Sequence, residues 1–185
     1  MLADKANLDF NKIRKITKDG YPRAESLPSA GFAAGPCLLK DTMQLLSFSR
    51  NNFSIGNSSM LVNEGLVLYL IDKLETKYNL KSKNVGLLGM AFKAECDDTR
   101  SSLSYKMKKI LSAKVNKIYC TDPFVKTDKN LSSLEKIPAN GLRVVLMDLD
   151  RIFNPLGFGG SLEDYLGATP AGNYLVQMRD RKSVV

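Results

Sequence analysis

In GFAAGPCLLKDT (31–42), a run of small residues ends at Pro36 and is followed by Cys37, Lys40 and Asp41. A thiol becomes a useful nucleophile when nearby cations or helix N-terminal amides favour its thiolate. Lys40 lies just downstream, and a helix predicted to begin near it would bring such amides close. If that helix reaches back to Cys37, Asp41 shares its face one turn along. Nucleophile, charge stabiliser and base then stand together. The sequence contains no histidine, so the usual activating partner of a cysteine is missing. On spacing alone the plainer account is the stronger one: Cys37 packs as a small hydrophobe and Asp41 is a solvated first-turn residue.

A second group is FKAECDDTR (92–100), which carries Lys93, Asp97, Asp98 and Arg100. It follows a predicted strand, and open α/β sheets bind ligands beyond the carboxyl ends of their strands. Lys93 and Arg100 are the two cation types suited to phosphate or carboxylate. By position alone this reading stands level with a solvated loop of local ion pairs. Gly86 and Gly89 in VGLLG are spaced G-x-x-G, not G-x-G-x-x-G, and read more readily as close packing of a strand than as a phosphate cradle.

These residues need elements to hold them. NLDFNKIRKITK (7–18) spaces Leu8, Ile13 and Ile16 as a helix, with Asn7 available as its N-cap. After Gly20 and Pro22 comes a loop rich in Ala, Ser, Pro and Gly. The helix near Lys40 would bury Met43, Leu45 and Leu46. A longer helix is predicted over 57–78, where Met60, Leu61, Leu66, Val67, Leu70, Ile71 and Leu74 form a wide apolar stripe. Its length suits a scaffold or a dimer seam. Then KNVGLLGMAF (83–92) reads as a buried parallel strand, SSLSYKMKKILSA (101–113) as a helix and KIYCTDP (117–123) as a strand. SSLEK (132–136) could open a short helix, LRVVLMDL (142–149) is a third strand, and a further short strand falls around 174–178. The fold class is therefore α/β: an all-helical first part (1–80) carrying the cysteine loop, then a parallel-sheet α/β part (81–185).

The bulk composition narrows the classes. A chain of 185 residues holds one sizeable core or two small ones. No apolar run approaches the ~20 residues that span a bilayer, and MLADKANLDFNK lacks the apolar stretch of a secretory signal. Cys37, Cys96 and Cys120 have no metal-ligand spacing and give no closed disulfide set, so no metal is expected and a reducing cytoplasm is the default. The net charge of +8 invites nucleic acid, but there is no tryptophan and no aromatic-and-basic interleaving for base stacking. A basic surface that attracts phosphorylated small molecules fits as well, and neither nucleic acid nor membrane is expected as a partner.

Four blocks, in order, carry a resemblance: GFAAGPCLLKDTMQLL (31–46), SMLVNEGLVLYLIDKL (59–74), VGLLGMAFKAECDDTRSSLSYKMKKIL (85–111) and YCTDPFV (119–125). Together they resemble the UDP-glucose/GDP-mannose dehydrogenase family, the nucleotide-sugar dehydrogenases, over residues from about 5 to 130. That family oxidises the sugar C6 alcohol to a carboxylate in two NAD-dependent hydride transfers. A cysteine forms a thiohemiacetal and then a thioester, which water hydrolyses. The resemblance implies that Cys37 is this nucleophile, that Asp41 activates or orients water, and that Lys40 stabilises charge near substrate or cofactor. Arg23 matches an arginine that reaches the substrate, in related enzymes across a dimer interface. Leu27, Ser29, Gly31 and Phe32 belong to a loop that would wrap a UDP- or GDP-sugar. Phe92 and Lys93 match residues lining the substrate pocket, and Arg100 matches an arginine that contacts NAD. The resemblance makes residues 1–80 an N-terminal helical dimerisation segment, its long helix a homodimer seam, followed by a Rossmann-like parallel-sheet domain over 81–185.

The chain also departs from the family's pattern. Nothing in it corresponds to the NAD-binding Rossmann domain with its G-x-G-x-x-G, or to a preceding helix with a catalytic lysine and asparagine. The usual Gly-Gly-Ser/His-Cys reads Ala34-Gly35-Pro36-Cys37. Beyond about residue 131 the motifs fade, as a divergent or frame-shifted tail would. The expectation is thus part of a nucleotide-sugar dehydrogenase, paired with a separate NAD-binding chain. The alternative is an inactive nucleotide-sugar-binding or dimerisation module.

Overall fold

The computed structural model describes residues 1–133, except Ser29, Ala94 and Glu95, together with the backbone of strands 144–147 and 174–177. Two short helices come first, α1 (Leu2–Lys5) and α2 (Phe10–Lys18). The α2 cap is Asp9, not Asn7: its carboxylate accepts from the N–H groups of Asn11 (2.9 Å) and Lys12 (3.2 Å). Asn7 instead turns the chain at φ 54°, a conformation asparagine tolerates better than most residues. Leu8, Ile13 and Ile16 of this segment are all exposed.

Helix α3 (Pro36–Phe48) begins earlier than the expected start near Lys40. Proline suits the first helical position because its missing N–H would have no acceptor there and its φ is already helical. Of the three residues expected on its buried side only Leu46 is buried; Met43 and Leu45 are exposed. Helix α4 (Ser54–Lys77) runs 24 residues, close to the predicted 57–78. Its stripe holds toward the C-terminus, where Val67, Ile71 and Leu74 are buried. Toward the N-terminus it opens: Leu61 and Val62 face solvent.

The sheet is β1 (Asn84–Leu88), β2 (Lys117–Thr121), β3 (Val144–Met147) and β4 (Tyr174–Gln177), in the order β2-β1-β3-β4. Every pairing is parallel, with Val85 opposite Ile118 on one side and Val144 on the other. A continuous apolar run such as β1 suits a strand covered on both faces, and Val85, Leu87 and Leu88 are buried. Helix α5 (Leu103–Ser112) connects β1 to β2 and buries Leu103, Met107 and Leu111. The strand and helix expectations for 83–123 therefore hold with trimmed ends, and the last two strands lie where they were expected. The short helix expected at 132–136 lies largely outside the described residues.

One core joins these parts: Phe32, Val67, Ile71, Leu74 and Leu80 pack in the same cluster as Val85, Leu87, Met107 and Leu111. Each fully buried side chain of this size contributes about 1.5–3 kcal/mol by leaving water. Polar ties reinforce the join. Lys106 on α5 reaches Glu64 on α4 at 3.0 Å, and Lys114 reaches Glu75 at 2.7 Å. Asp4 accepts hydrogen bonds from Tyr69 and Lys73, fixing α1 to α4.

Candidate functional site

Strand β1 lies between β2 and β3, so chain leaving its carboxyl end enters the crevice where open parallel sheets receive ligands. The exit is built with care. Gly89 adopts φ 98°, a region L side chains avoid, and donates its N–H to the Thr121 carbonyl at 3.0 Å. Immediately afterwards the N–H groups of Met90 (2.7 Å) and Ala91 (2.9 Å) converge on Asp122 Oδ2. The other oxygen of that carboxylate accepts from Phe124 (2.9 Å) and Val125 (3.2 Å). Asp122 thus binds the loops after β1 and β2 to each other.

Phe92 follows. Its N–H donates to the Asp98 carbonyl at 3.0 Å, closing a loop over 92–98. Within that loop the Asp98 N–H lies 3.3 Å from the Cys96 sulfur. Arg100 grips Asp98, with Nε 3.0 Å from each carboxylate oxygen and Nη2 2.7 Å from Oδ2. That grip holds the Asp98 carboxyl below its usual range. In return Asp98 holds the guanidinium charged, first by these hydrogen bonds and then by its charge, with smaller contributions from Cys37 and Cys96. The Lys93 ammonium sits 5.5 Å from the centre of the Phe92 ring.

The cysteine loop meets this edge through Gly35. A Cβ built there would lie 2.9 Å from both Cδ2 and Cε2 of Phe92, so only a glycine lets the two loops touch as they do. Gly35 has φ 120° and caps α3. Cys37 is in the first turn, and the helix includes it, which puts Asp41 one turn below on the same face. The thiol is exposed. Lys40 and Asp41 pair with each other at 3.2 Å on the exposed surface. Behind the loop, Asn63 on α4 holds the backbone of Ala33 from both sides, accepting its N–H (3.1 Å) and donating to its carbonyl (2.6 Å).

Of the residues singled out in the sequence, the structure gathers Cys37, Phe92, Lys93 and Arg100 at one edge, with Lys40 and Asp41 on the same helix as the thiol. Gly31 is half-buried nearby in sequence, whereas Phe32 packs into the core. Leu27 is half-buried and its carbonyl accepts from Arg14 Nε at 2.8 Å. Arg23 stands exposed on a short 3-10 turn (Pro22–Ala24), with no side-chain hydrogen bond or ion pair among the described residues. Ser29 lies outside the described residues. Asp122 and Asn63 were not singled out in the sequence. Their only signals there are an Asp-Pro strand end and an asparagine within an apolar helical stripe. Among the described residues no cluster of His, Cys, Asp or Glu could hold a metal, and no helix is long and apolar enough to cross a membrane.

Residues 86–150 match the model of the UDP-glucose/GDP-mannose dehydrogenase family, UDP binding domain. That match reaches past the point near residue 130 where the sequence motifs fade. A UDP-N-acetyl-D-mannosamine dehydrogenase from Pyrococcus horikoshii is 31% identical over 133 residues, covering 68% of this chain and 31% of that protein. A UDP-glucose 6-dehydrogenase from Rickettsia bellii is 29% identical over 132 residues, covering 66% of this chain and 30% of that protein. The solved UDP-D-ManNAc dehydrogenase of Pyrococcus horikoshii shares the fold over 100% of this chain and 43% of its own, with TM-score 0.76 at 22% identity. The UDP-glucose dehydrogenase of Pyrobaculum islandicum does so over 99% and 43%, again with TM-score 0.76 at 22% identity. The chain spans less than half the length of each of these relatives. Residues 86–150 thus carry the UDP binding domain of the UDP-glucose/GDP-mannose dehydrogenase family, and the relatives the chain matches more widely are nucleotide-sugar dehydrogenases.

Proposed function

We propose that this chain provides the cysteine loop and the UDP-binding domain of a nucleotide-sugar 6-dehydrogenase, acting on a UDP- or GDP-sugar. The observation that supports this reading is the contact of Phe92 with Gly35, which seats the Cys37 loop on the carboxyl edge of the sheet that belongs to the UDP-binding domain. Phe92 and Lys93 offer that edge an aromatic face and a cation for the nucleotide sugar. Arg23, Leu27, Ser29, Gly31 and Phe32 complete the binding segment in this reading.

Cys37 attacks the C6 aldehyde carbon: the sulfur–carbon bond forms while the carbonyl π pair moves to oxygen, which takes up the proton the thiol gives up, giving a thiohemiacetal. Free N–H groups of the first turn of α3, together with Lys40, face the developing negative charge. At the thioester stage Asp41, one turn from the sulfur, orients the water whose oxygen replaces Cys37 at the carbonyl carbon and releases the carboxylate. NAD, the oxidant the family implies, fits these residues poorly. Arg100 is a single cation already engaged by Asp98, and the 185 residues contain no G-x-G-x-x-G. Neither hydride transfer is therefore assigned to these residues, and the dinucleotide site would lie outside them.

The exposed apolar side chains Phe48, Ile55, Leu61 and Val62 on α3 and α4 fit a homodimer seam along the long helix. The free thiols of Cys37, Cys96 and Cys120 suit a reducing cytoplasm. The test incubates the chain with NAD and UDP- or GDP-sugars, follows NADH absorbance, and measures UDP binding by calorimetry. Turnover that vanishes in Cys37→Ala supports the dehydrogenase. Saturable UDP binding without turnover fits the second reading, a binding or dimerisation module, and equally the first with its NAD site outside these residues; a covalent adduct of Cys37 with the C6 aldehyde of a nucleotide sugar, read by mass spectrometry, separates the two. Absence of both refutes the two together.

A further inference from the structure

Asp122 is set apart from the other carboxylates among the described residues by the company it keeps. Its two oxygens accept four main-chain N–H groups: Met90 and Ala91 from the loop after β1, Phe124 and Val125 from the loop after β2. A carboxylate suits this task because it has two oxygens, about four lone-pair sites and no donor. The consequence runs outward along the chain. Met90 and Ala91 lead directly into Phe92, whose ring rests on Gly35, and Gly35 caps the helix whose first turn holds Cys37.

We infer that Asp122 is a positioning residue for the nucleotide-sugar site: by holding these four amides it fixes Phe92 against Gly35, and so sets where Cys37 stands relative to the UDP-binding loop. The inference rests on the function proposed above, since it assigns Asp122 a duty toward that site. It makes occupancy at the sheet edge and the state of the Cys37 loop interdependent. UDP held at Phe92 and Lys93 alters the loop carrying the thiol through the Phe92–Gly35 contact, without a sugar to touch the sulfur.

The experiment measures the rate at which iodoacetamide alkylates Cys37 in the full chain, read by peptide mass spectrometry, with and without saturating UDP. In the wild type, saturating UDP changes that rate by about fivefold or more, the lower end of typical couplings between sites. Asp122→Asn keeps the shape but offers one acceptor oxygen and places an NH₂ against amide donors, so two of the four hydrogen bonds are lost. It should still bind UDP while its Cys37 rate no longer responds. A residue that merely stabilised the fold would lower the melting temperature and leave the response intact. An unchanged response in a folded, UDP-binding Asp122→Asn overturns the inference and leaves the proposed function standing. If the wild type binds no UDP, the functional reading falls and takes the inference with it. Phe92→Leu carries the test if Asp122→Asn does not fold: it leaves the four amides on Asp122 and takes the ring from Gly35 and from the nucleotide alike, so the response is read at UDP concentrations that saturate the variant. A response retained in Phe92→Leu is equally fatal to the inference.

Discussion

Gly35→Ala tests the joint between the two loops directly. Gly35 has φ 120° and ψ 162°, a region populated almost only by glycine, and forcing another residue into it costs about 1–3 kcal/mol. The added methyl also lies 2.9 Å from two carbons of Phe92. Overpacking of that kind costs about 1–3 kcal/mol in a tight core. Phe92 is only half-buried and can swing, so the lower end of that range applies. The backbone contribution therefore dominates, and the total is about 2–4 kcal/mol, a large share of the 5–15 kcal/mol that holds a typical domain. With a urea slope of about 1–3 kcal/mol per molar, the unfolding midpoint should fall by roughly 1–2 M. The assay is urea unfolding of the full chain followed by far-ultraviolet circular dichroism. A double-mutant cycle with Phe92→Ala separates the two contributions. Removing the ring recovers the packing part, about 1 kcal/mol of coupling, and leaves the backbone part in place. A Gly35→Ala variant within about 0.5 kcal/mol of wild type would refute both the strained cap and the ring contact, and a cycle without coupling would refute the ring contact alone.

Three further outcomes follow from the same structure. Iodoacetamide should label Cys37 well before Cys120, since Cys37 is exposed while the buried Cys120 thiol is pushed up to about 11, by burial first, with Lys108 opposing; equal labelling of the two would mean that Cys120 is open. Raised phenols stabilise the fold below their unfolded pKa near 10, and that contribution is lost as pH climbs through the folded value. Tyr69, pushed up to about 12 by its hydrogen bond to Asp4, and Tyr105, raised further by burial and then by its bond to Asp128, should be late in a tyrosinate absorbance titration. Tyr69→Phe and Tyr105→Phe should each remove one late-titrating phenol, and a titration unchanged by either substitution would refute its assignment. Ser104→Ala should raise stability by about 0.5–1 kcal/mol, because the Ser104 hydroxyl is buried with no hydrogen-bond partner among the described residues and alanine is the better helix former; a loss above 1 kcal/mol in thermal unfolding would reveal a partner.

Much of the fold can be read from period and punctuation. The run VGLLGMAF announces a buried strand, and Leu103, Met107 and Leu111 announce the inner face of α5, because burial on both faces or on one stripe leaves a pattern in the order of residues. Exposure of apolar side chains leaves no such trace. Met43 and Leu45 look as suited to a core as Leu46, yet only Leu46 is covered, because what covers a helix face is decided by its neighbours. The choice between Asn7 and Asp9 as cap was hidden for a related reason: both can accept an amide, and local chain direction selects between them. At the candidate site, the reactive side chains were legible by type. Their organisers, Asp122 and Asn63, were not, since each acts on main-chain groups remote in sequence.

Helix α4 explains why the Cys37 loop can be held firmly although the thiol itself is exposed. The C-terminal half of α4 is anchored in the core through Val67, Ile71 and Leu74, against the same cluster that contains Val85 and Leu87 of β1. Its N-terminal half carries no comparable burial but presents Asn63 to Ala33. At about 1.5 Å per residue, the 24-residue helix runs roughly 36 Å and carries a position set in the core out to the loop. The loop over 33–35 is therefore tied twice: to α4 through Asn63, and to the sheet edge through Phe92. Both ties originate in one packed core, so they cannot shift independently. A substitution that tilts α4 at Ile71 therefore strains both ties at once, and Cys37 is displaced although nothing near it has changed.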